Sequence, residues 1–469
     1  MQHPAVTIVG AGLVGSLMAT LLARRGFRVA LYEKLPDPRK AGFAGGRSIN
    51  LALAERGLHA LRQAGLERRV LDATIMMRGR MVHDRDGGTN LQRYGIDDGE
   101  VNQSVSRGEL NMLLLDAAED AGVRVHFGQA LGAADFRTGK LRFTGADNRV
   151  SHVEAELTIG ADGAGSAVRA AMAEGRDLGE RVKPLDHGYR ELEIPPLQQL
   201  PEAVLDEALC RRRRAGERFA IEPHALHIWP RGNCMCIALP NGEGSFTVTL
   251  FLPRKGEHPS FASVADIGSA RRYFEADYGD VLPLMPDFNA NWNNHPVGTL
   301  ATLYLEQWHV DDKAVLIGDA AHAIVPFHGQ GMNAGFEDAA MLADLLADAE
   351  TPVATTLARF QQQRKPDADA IAAMALENYV EMRDSVVDPA YLRRRRLGAR
   401  LAAHAPQHYM SRYRMVTFTR LPYAYCMARG REQDALLDHL LEGHDDADQV
   451  DLDTALERLR EALPPLATD

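Results

Sequence analysis

The stretch that decides the fold is Val6-Thr7-Ile8-Val9-Gly10-Ala11-Gly12-Leu13-Val14-Gly15. The β-branched apolar run from Val6 to Val9 is typical of a strand buried on both faces of a parallel sheet. Apolar residues at helical spacing follow, and the basic turn Arg24-Arg25-Gly26 predicts the end of a helix. A second strand is predicted from Phe27 to Tyr32. Strand, helix and strand in this order predict a Rossmann-like α/β domain.

The glycines between the first strand and the helix have G-x-G-x-x-G spacing. Gly10 suits a tight turn, Gly12 lets the backbone approach a pyrophosphate, and Gly15 permits close packing of helix and strand. The helix start offers N–H groups to phosphates. Glu33 lies 23 residues after Gly10, where an acid accepts hydrogen bonds from a ribose. A glycine-rich turn of another α/β protein is the alternative. The order of elements favours a dinucleotide site and does not decide between NAD and FAD.

Length and charge limit the class of protein. A chain of 469 residues is too long for one core, so two or three domains are expected. The net charge of −11 argues against a general nucleic-acid binder, which needs a basic surface. Two arginine runs, Arg211 to Arg214 and Arg393 to Arg396, suggest either an anionic partner or solvated helix faces. In an acidic chain the second interpretation is favoured.

The cysteines and the hydropathy pattern predict a cytoplasmic protein. Cys210, Cys234, Cys236 and Cys426 are too few and too scattered for a disulfide framework, and their spacing is not that of metal ligands. No metal site is therefore expected. No run reaches the roughly 18 apolar residues of a membrane span. Neither a signal peptide before the first strand nor a C-terminal anchor is expected.

Two further strands end in glycine and aspartate. Leu157 to Ile159 leads into Gly160-Ala161-Asp162-Gly163, and Ala314 to Ile317 leads into Gly318-Asp319. Open α/β sheets bind ligands at such carboxyl ends. A helix predicted from about Ala334 to Ala347 follows glycines that leave N–H groups uncovered, which suits a developing negative charge.

The middle of the chain has a different pattern. Three alternating strands, Ala225–Trp229, Met235–Leu239 and Ser245–Leu252, predict an antiparallel sheet in a second domain. The stretch from Met76 to His83 also reads as a strand. Its Arg80 either extends its charged group to water or binds an anion. The neighbouring residues taken alone favour the first alternative.

The rest of the chain is mostly helical in pattern. One long helix is predicted from Gln361 to Met382, in which Asn378, Glu381 and Met382 share a face.

The three glycine-containing motifs together, with Arg169 and Pro326, resemble the group A flavoprotein aromatic hydroxylases. Within that group, residues 46–53, 76–83, 326–333, 375–382 and 412–418 look like the kynurenine 3-monooxygenases of soluble bacterial type, nearly end to end. The resemblance implies a Rossmann-like α/β FAD-binding domain, an antiparallel β-sheet substrate domain and a C-terminal helical region. The implied bounds are residues 1–75, 103–180 and 296–350 for the FAD-binding domain and residues 76–102 and 181–295 for the substrate domain. The C-terminal helical region would comprise residues 351–469.

The resemblance also implies the chemistry. L-Kynurenine would be hydroxylated to 3-hydroxy-L-kynurenine in tryptophan degradation, with tightly bound FAD, transient NADPH and O2, through a flavin C4a-hydroperoxide. The implied substrate-binding residues are Arg80, Tyr94, Asn378 and Tyr413 around the amino-acid end, and Leu226, Met235, Ile237, Leu239 and Phe251 around the ring. Glu381 and Pro326 are also implied to bind the substrate. Phe327 and His328 would lie near the flavin as catalytic residues. His328 is equally well explained as a structural loop histidine.

The FAD-binding residues implied are Gly10, Gly12, Leu13, Gly15, Glu33, Lys34, Arg47, Ala52, Arg107, Leu131, Asp162, Asp319, Gly331, Met332 and Asn333. Asn102 and Cys234 depart from the family pattern and affect only the rim of the pocket. Two alternatives are a related hydroxylase of another aromatic acid and a non-catalytic binding protein on the same fold. The sequence does not determine the oligomeric state, and a homodimer is compatible with it.

Overall fold

The computed structural model describes residues 3–41, 50–383 and 388–467. By its contacts the chain divides into two compact units. The first comprises residues 1–75, 103–185 and 299–372, and the second comprises residues 76–102, 186–298 and 373–469. The helices after residue 373 thus group with the sheet-forming segments of the second unit. The three-part domain bounds given above stay a prediction.

The first unit is built on a six-stranded sheet. Its strands lie in the order His309–Val310, Ala314–Leu316, Leu157–Gly160, Val6–Val9, Val29–Tyr32 and Arg124–His126. All neighbours are parallel except the first pair. The strand Val6–Val9 is buried throughout, as its β-branched run predicts. The Rossmann-like fold predicted from the sequence is confirmed.

Helices cover this parallel sheet, and their apolar faces form its core. The helix Leu13–Arg24 packs against Arg107–Asp120 and Gly331–Leu346. The other helices of this unit are Pro38–Ala41, Glu55–Gln63, Glu67–Leu71, Ala167–Met172 and Asp319–His322. Smaller antiparallel pairings join Asn50–Leu53 to Asn102–Ser106, and Lys140–Gly145 to Gln129–Asp135 and Val150–Glu154. The further strands Ile75–Met77 and Gly298–Tyr304 lie where the chain passes from one unit to the other.

The second unit contains most of a sheet whose strands lie in the order Gly298–Tyr304, Arg181–Ile194, Phe246–Pro253, Met235–Pro240, Leu226–Pro230, Gly79–His83 and Thr89–Arg93. The antiparallel sheet is confirmed, with one exception. Leu226–Pro230 and Gly79–His83 run parallel, because Gly79–His83 comes from a segment much earlier in the chain. The strand predicted from Met76 to His83 is interrupted at Arg78, whose N–H is donated to the carbonyl of His224.

One face of this second sheet packs on helices and forms a separate core. The helices between its strands are Glu207–Arg214, Ile267–Asp277 and Phe288–Asn294, and the short 3-10 turns are Leu197–Gln199, Glu202–Val204 and Leu282–Leu284. The helices of the C-terminal part are Val353–Arg383, Pro389–His404, Arg412–Phe418, Tyr423–Leu441 and Leu452–Ala462, with the 3-10 turn Ala447–Gln449. Three of them form a third apolar cluster.

Both arginine runs lie on helices, but they are not simply solvated. Arg212 donates to the carbonyls of Phe219 and Ala220, and Arg394 pairs with Asp438. Within the described residues, no helix combines the length and the apolar character needed to cross a membrane.

Candidate functional site

The glycine turn after the first strand has the geometry that the spacing predicts. Gly10 has a φ of +101°, and a Cβ there would lie 2.5 Å from the carbonyl oxygen of Ala161. A Cβ on Gly15 would lie 1.9 Å from the carbonyl oxygen of Gly10. By contrast, no described heavy atom lies within 4 Å of a Cβ built on Gly12. The turn is therefore tight at its ends and open in its middle.

The helix Leu13–Arg24 starts at this open point. Gly12 is its N-cap residue and provides no side-chain cap. The first N–H groups of a helix have no partner within the helix, so they are available to an anion. Glu33 lies beside them: its Oε2 accepts the N–H of Ala11 at 2.8 Å, and its Oε1 accepts that of Leu35 at 2.9 Å. A carboxylate retains lone pairs for further donors, so the ribose contact stays a prediction.

Asp162 has a structural partner that the sequence did not indicate. Its Oδ2 accepts the N–H groups of Ala167 and Val168 at 2.7 and 3.1 Å, and its Oδ1 accepts the Ser166 hydroxyl at 2.5 Å. The carboxylate thus caps the helix Ala167–Met172. Its predicted role in binding FAD stays a prediction.

Asp319 follows Gly318, which has a φ of +58°, at the end of the strand Ala314–Leu316. The Asp319 side chain is solvent-accessible, yet burial of the carboxyl group among protein atoms raises its pKa, against the charges of His322 and Arg107. This combination is expected for a carboxyl group that lines a recess. The charge of Arg107 reaches Asp319, so the fold brings two of the predicted cofactor residues together.

The helix predicted from Ala334 begins earlier, at Gly331, and runs to Leu346. Met332 and Asn333 therefore belong to its first turn. Gly331 and the polar Asn333 are tolerated at a helix start. The Asn333 side chain is fully buried: its Oδ1 accepts the N–H of Ala54, and its Nδ2 donates to the carbonyls of Ala52 and Gly329, each at 2.9 Å. Its side chain joins strand and helix, which leaves its backbone N–H as the group available to a cofactor.

The short 3-10 helix Pro326–His328 precedes this helix and ends at Gly329, with a φ of +68°. Phe327 and His328 are buried, and Pro326 is exposed. The predicted cofactor residues Leu13, Lys34, Ala52 and Leu131 also lie in the first unit. Arg47 falls outside the described residues.

The first unit fits a bound FAD. Two helices present starts without a side-chain cap, at Gly12 and at Gln330. The space at Gly12 is open, and Asp319 offers a carboxyl group at the end of a neighbouring strand of the same sheet. These are the donors and the acceptor that a pyrophosphate and a polyhydroxyl chain require.

In the second unit, Arg80 is the centre of a cluster formed with Tyr94, Asn378, Glu381 and Tyr413, called the Arg80 cluster below. The Arg80 side chain is buried and donates to Glu381 Oε1 at 3.0 Å and to Asn378 Oδ1 at 3.3 Å. Its guanidinium carbon lies 5.1 Å from the ring centre of Tyr413 and 5.9 Å from that of Tyr94. Cation–π contacts at these distances are attractive. The interpretation of Arg80 as a solvated surface charge is wrong.

Charges inside the cluster stabilise one another. Burial acts to raise the pKa of Glu381, but the charge of Arg80 and hydrogen bonds from Arg80 and Tyr391 outweigh it, and the pKa is lowered. Burial raises the pKa of Tyr413 and of Tyr94. At neutral pH the cluster therefore holds one cation, one anion and neutral phenols.

The predicted ring-binding residues share the sheet face of Arg80. Leu226 pairs with Arg80, Ile228 pairs with Ile237, and Phe251 pairs with Met235 in the strand register. Because side chains of paired residues lie on the same face and alternate along each strand, one face carries the whole set. That set is Arg80, Leu226, Met235, Ile237, Leu239 and Phe251. The opposite face carries Trp229, Cys236, Val248 and Leu250 into the core.

Several known proteins are similar to this chain. The family model described as "FAD binding domain" matches residues 3–227 and 286–375. The kynurenine 3-monooxygenase of Xanthomonas axonopodis pv. citri (strain 306) is 51% identical over 468 residues, covering 99% of this chain and 98% of that one. The kynurenine 3-monooxygenase of Stenotrophomonas maltophilia (strain K279a) is 50% identical, with 98% and 97% covered.

The chain belongs to the kynurenine 3-monooxygenase family.

Solved structures support the fold of this family member. The tetrameric form of 2-methyl-3-hydroxypyridine-5-carboxylic acid oxygenase matches with a TM-score of 0.63 and 20% identity, covering 84% of this chain and 96% of that one. Pseudomonas aeruginosa PqsL in complex with 2-aminobenzoylacetate matches with a TM-score of 0.63 and 22% identity, covering 81% and 97%. The group A flavoprotein hydroxylase fold inferred from the motifs is confirmed.

Two side chains of the site have contacts that the sequence patterns did not predict. Asn102 donates from Nδ2 to the Tyr413 hydroxyl at 2.8 Å, whereas the sequence indicated only a departure at the pocket rim. Tyr391 donates to Glu381 Oε1 at 2.9 Å. No pattern marked Tyr391, because it lies in a different helix and a single tyrosine at a helix start has no characteristic spacing.

Proposed function

We propose that this member of the kynurenine 3-monooxygenase family is an FAD-dependent enzyme that hydroxylates L-kynurenine to 3-hydroxy-L-kynurenine with NADPH and O2. The observation that carries the proposal is 51% identity over 99% of the chain with a kynurenine 3-monooxygenase. The Arg80 cluster supports it, because the cluster offers opposite charges at one place, as the amino-acid end of kynurenine requires.

The Arg80 guanidinium binds the α-carboxylate of the substrate. A planar guanidinium donates two parallel hydrogen bonds to a carboxylate, which fixes both position and orientation. Arg80 is held by Asn378 and by the rings of Tyr94 and Tyr413, so little side-chain entropy remains to be lost on binding. Glu381 is left to face the substrate's ammonium group.

The ring of kynurenine lies on the apolar face of the second sheet. Met235, Ile237 and Leu239 alternate along one strand, with Phe251 and Leu226 on its neighbours. Apolar contacts orient the ring and exclude water, while the substrate's own amino group makes the ortho carbon electron-rich. FAD, when bound, supplies the redox chemistry with NADPH and O2.

The residues of the first unit bind FAD in this proposal. The N–H groups at Gly12 and Leu13 receive the pyrophosphate, Glu33 the adenosine ribose, and Asp319 the ribityl chain. The start of the helix Gly331–Leu346 directs its positive end at the reduced flavin. Arg107 adds a positive charge beside Asp319.

A cytoplasmic location is also proposed. All four cysteines are free, which suits a reducing compartment. The partners are small molecules: L-kynurenine, NADPH and O2.

The test uses the purified holoenzyme. We expect a yellow protein whose NADPH oxidation is accelerated by L-kynurenine, and a product one oxygen atom heavier by mass spectrometry, with the hydroxyl group at ring position 3 by NMR. Hydroxylation of another aromatic acid but not of kynurenine would identify a related hydroxylase instead. A protein that stays colourless after addition of FAD would contradict the proposal entirely.

A further inference from the structure

The hydrogen bonds to Glu381 are unequally shared between its two oxygens. Arg80 and Tyr391 both donate to Oε1, at 3.0 and 2.9 Å. From the described residues, Oε2 accepts no hydrogen bond. A carboxylate oxygen that is partly buried but has no donor can accept one from a ligand.

Tyr391 comes from a helix other than the one that carries Glu381. It lies in the first turn of Pro389–His404, whose N-cap residue Asp388 accepts the N–H groups of Ala390 and Tyr391. The backbone of Tyr391 is therefore held by the helix start, independently of Glu381. Burial raises the pKa of Tyr391 to about 12, so its hydroxyl remains a donor at neutral pH.

In the binding mode proposed above, the substrate's carboxylate competes with Glu381 for Arg80. When Arg80 turns its donors to the substrate, Glu381 loses one of the two groups that hold Oε1. The Tyr391 hydroxyl is then the remaining described donor to that oxygen. It keeps the carboxylate in place, with Oε2 toward the ammonium group on the same carbon of the substrate.

We propose that Tyr391 is a positioning residue that makes the enzyme specific for substrates with an α-ammonium group, by holding Glu381 through Oε1. The proposal rests on the function proposed above and adds the basis of its specificity. In this proposal Arg80 binds the α-carboxylate of the substrate, and Glu381, held by Tyr391, binds its α-ammonium group.

The test compares L-kynurenine with its desamino analogue, 4-(2-aminophenyl)-4-oxobutanoate, which keeps the carboxylate and the ring. In Tyr391→Phe holoenzyme we expect the Kd and the KM for kynurenine to rise roughly tenfold, the effect of losing a hydrogen bond to a charged group. The kcat and the Kd for the analogue should change less than about twofold. Tyr425→Phe is the matched control, because it removes a hydroxyl that contacts the N–H of Ala467 in the same unit.

A second variant keeps the test decisive if Tyr391→Phe folds poorly. Glu381→Gln should abolish the preference for kynurenine over the analogue, and adding Tyr391→Phe to it should have little further effect. Equal losses for both ligands in Tyr391→Phe, or equal affinity of the wild type for both, would overturn the proposal. Calorimetry provides the Kd values, so binding can be measured even if kynurenine is not hydroxylated. Absence of hydroxylation would overturn the proposed function and not the role of Tyr391.

Discussion

His322 Nε2 lies 2.5 Å from Asp338 Oδ2, and both side chains are buried. Asp338 also accepts the N–H of Gly318 at 2.9 Å and Nε of Arg364 at 2.7 Å. Burial acts to raise the pKa of Asp338, but the charges of His322 and Arg364 outweigh it and hold the pKa well below its usual value. The ionised carboxylate therefore connects the strand end before Asp319 to the helix Gly331–Leu346.

Asp338→Asn should destabilise the protein by about 3 to 5 kcal/mol, because it leaves buried positive charge without its main partner. The free energy of unfolding from urea titration of the apoprotein measures this loss. Asp344→Asn is the control in the same helix: Asp344 is half exposed and pairs with Arg25 at the surface. We expect it to cost less than about 1 kcal/mol. Equal losses in the two variants would show that the buried network contributes little.

Gly12→Ala and Gly15→Ala should separate cofactor binding from folding. The backbone of Gly12, with φ −72° and ψ −170°, suits alanine and the space is open, so the apoprotein should remain stable. The added methyl group would occupy the proposed pyrophosphate site, and FAD affinity should fall roughly tenfold, or about 1.4 kcal/mol. At Gly15 the methyl group meets the carbonyl of Gly10, so stability should also fall, by about 1 to 3 kcal/mol.

Urea titration of the apoproteins and quenching of FAD fluorescence provide the two measurements. Gly242→Ala is the control, since Gly242 is exposed in the second unit and its added Cβ meets no described atom within 4 Å. Unchanged FAD affinity in Gly12→Ala would rule out a pyrophosphate at this turn.

Sequence patterns were sufficient for the parts of the fold that depend on local periodicity. Val6–Val9, the helix Leu13–Arg24 and the three strands of the second sheet were placed to within one or two residues. Partners distant in sequence could not be deduced in this way. The parallel pairing of Gly79–His83 with Leu226–Pro230 has no local signal, because it depends on two segments that the intervening chain brings together.

Some residues of the site could likewise be predicted from local spacing, and others could not. Asn378 and Glu381 were placed on one helix face from spacing alone, and both contact Arg80. The burial of Arg80 itself could not be foreseen from its neighbours, since an arginine among methionines is usually exposed. The resemblance to a family supplied that assignment. The contact between Tyr391 and Glu381 could not be predicted because it joins two different helices. No sequence pattern predicts how one of these helices is placed against the other.

The stability of the protein should fall as the pH drops below about 6.5 because of His227. Its Nε2 donates to the carbonyl of Glu222 and its Nδ1 accepts from His83 Nε2, both at 2.7 Å, which fixes a neutral tautomer. Burial lowers the pKa of His227 to about 3. Between the two pKa values the unfolded chain binds a proton that the folded protein does not. The free energy of unfolding should therefore decrease by up to about 1.4 kcal/mol per pH unit.

Urea titrations between pH 5 and 7 measure this slope, above the range where carboxyl groups with ordinary pKa values titrate. His227→Gln, which cannot take up the proton, should flatten it. His439→Gln, at an exposed position, should leave it as in the wild type. A slope that persists in His227→Gln would assign the pH dependence to another group.

Arg80→Ala should weaken the binding of L-kynurenine by about 2 to 5 kcal/mol. This loss reflects the removed contact with the α-carboxylate. Glu381 keeps its hydrogen bond from Tyr391, but its pKa should rise because the Arg80 charge that lowers it is gone. Calorimetric titration of the holoenzyme measures the Kd. Arg78→Ala is the matched control two residues away, since Arg78 is partly exposed and lies 3.6 Å from Asp98 at the surface. It should bind kynurenine within about twofold of the wild type, the range for an exposed pair. If the two variants lost affinity equally, binding would depend on the net charge of this segment, and the guanidinium of Arg80 would have no specific contact with the substrate.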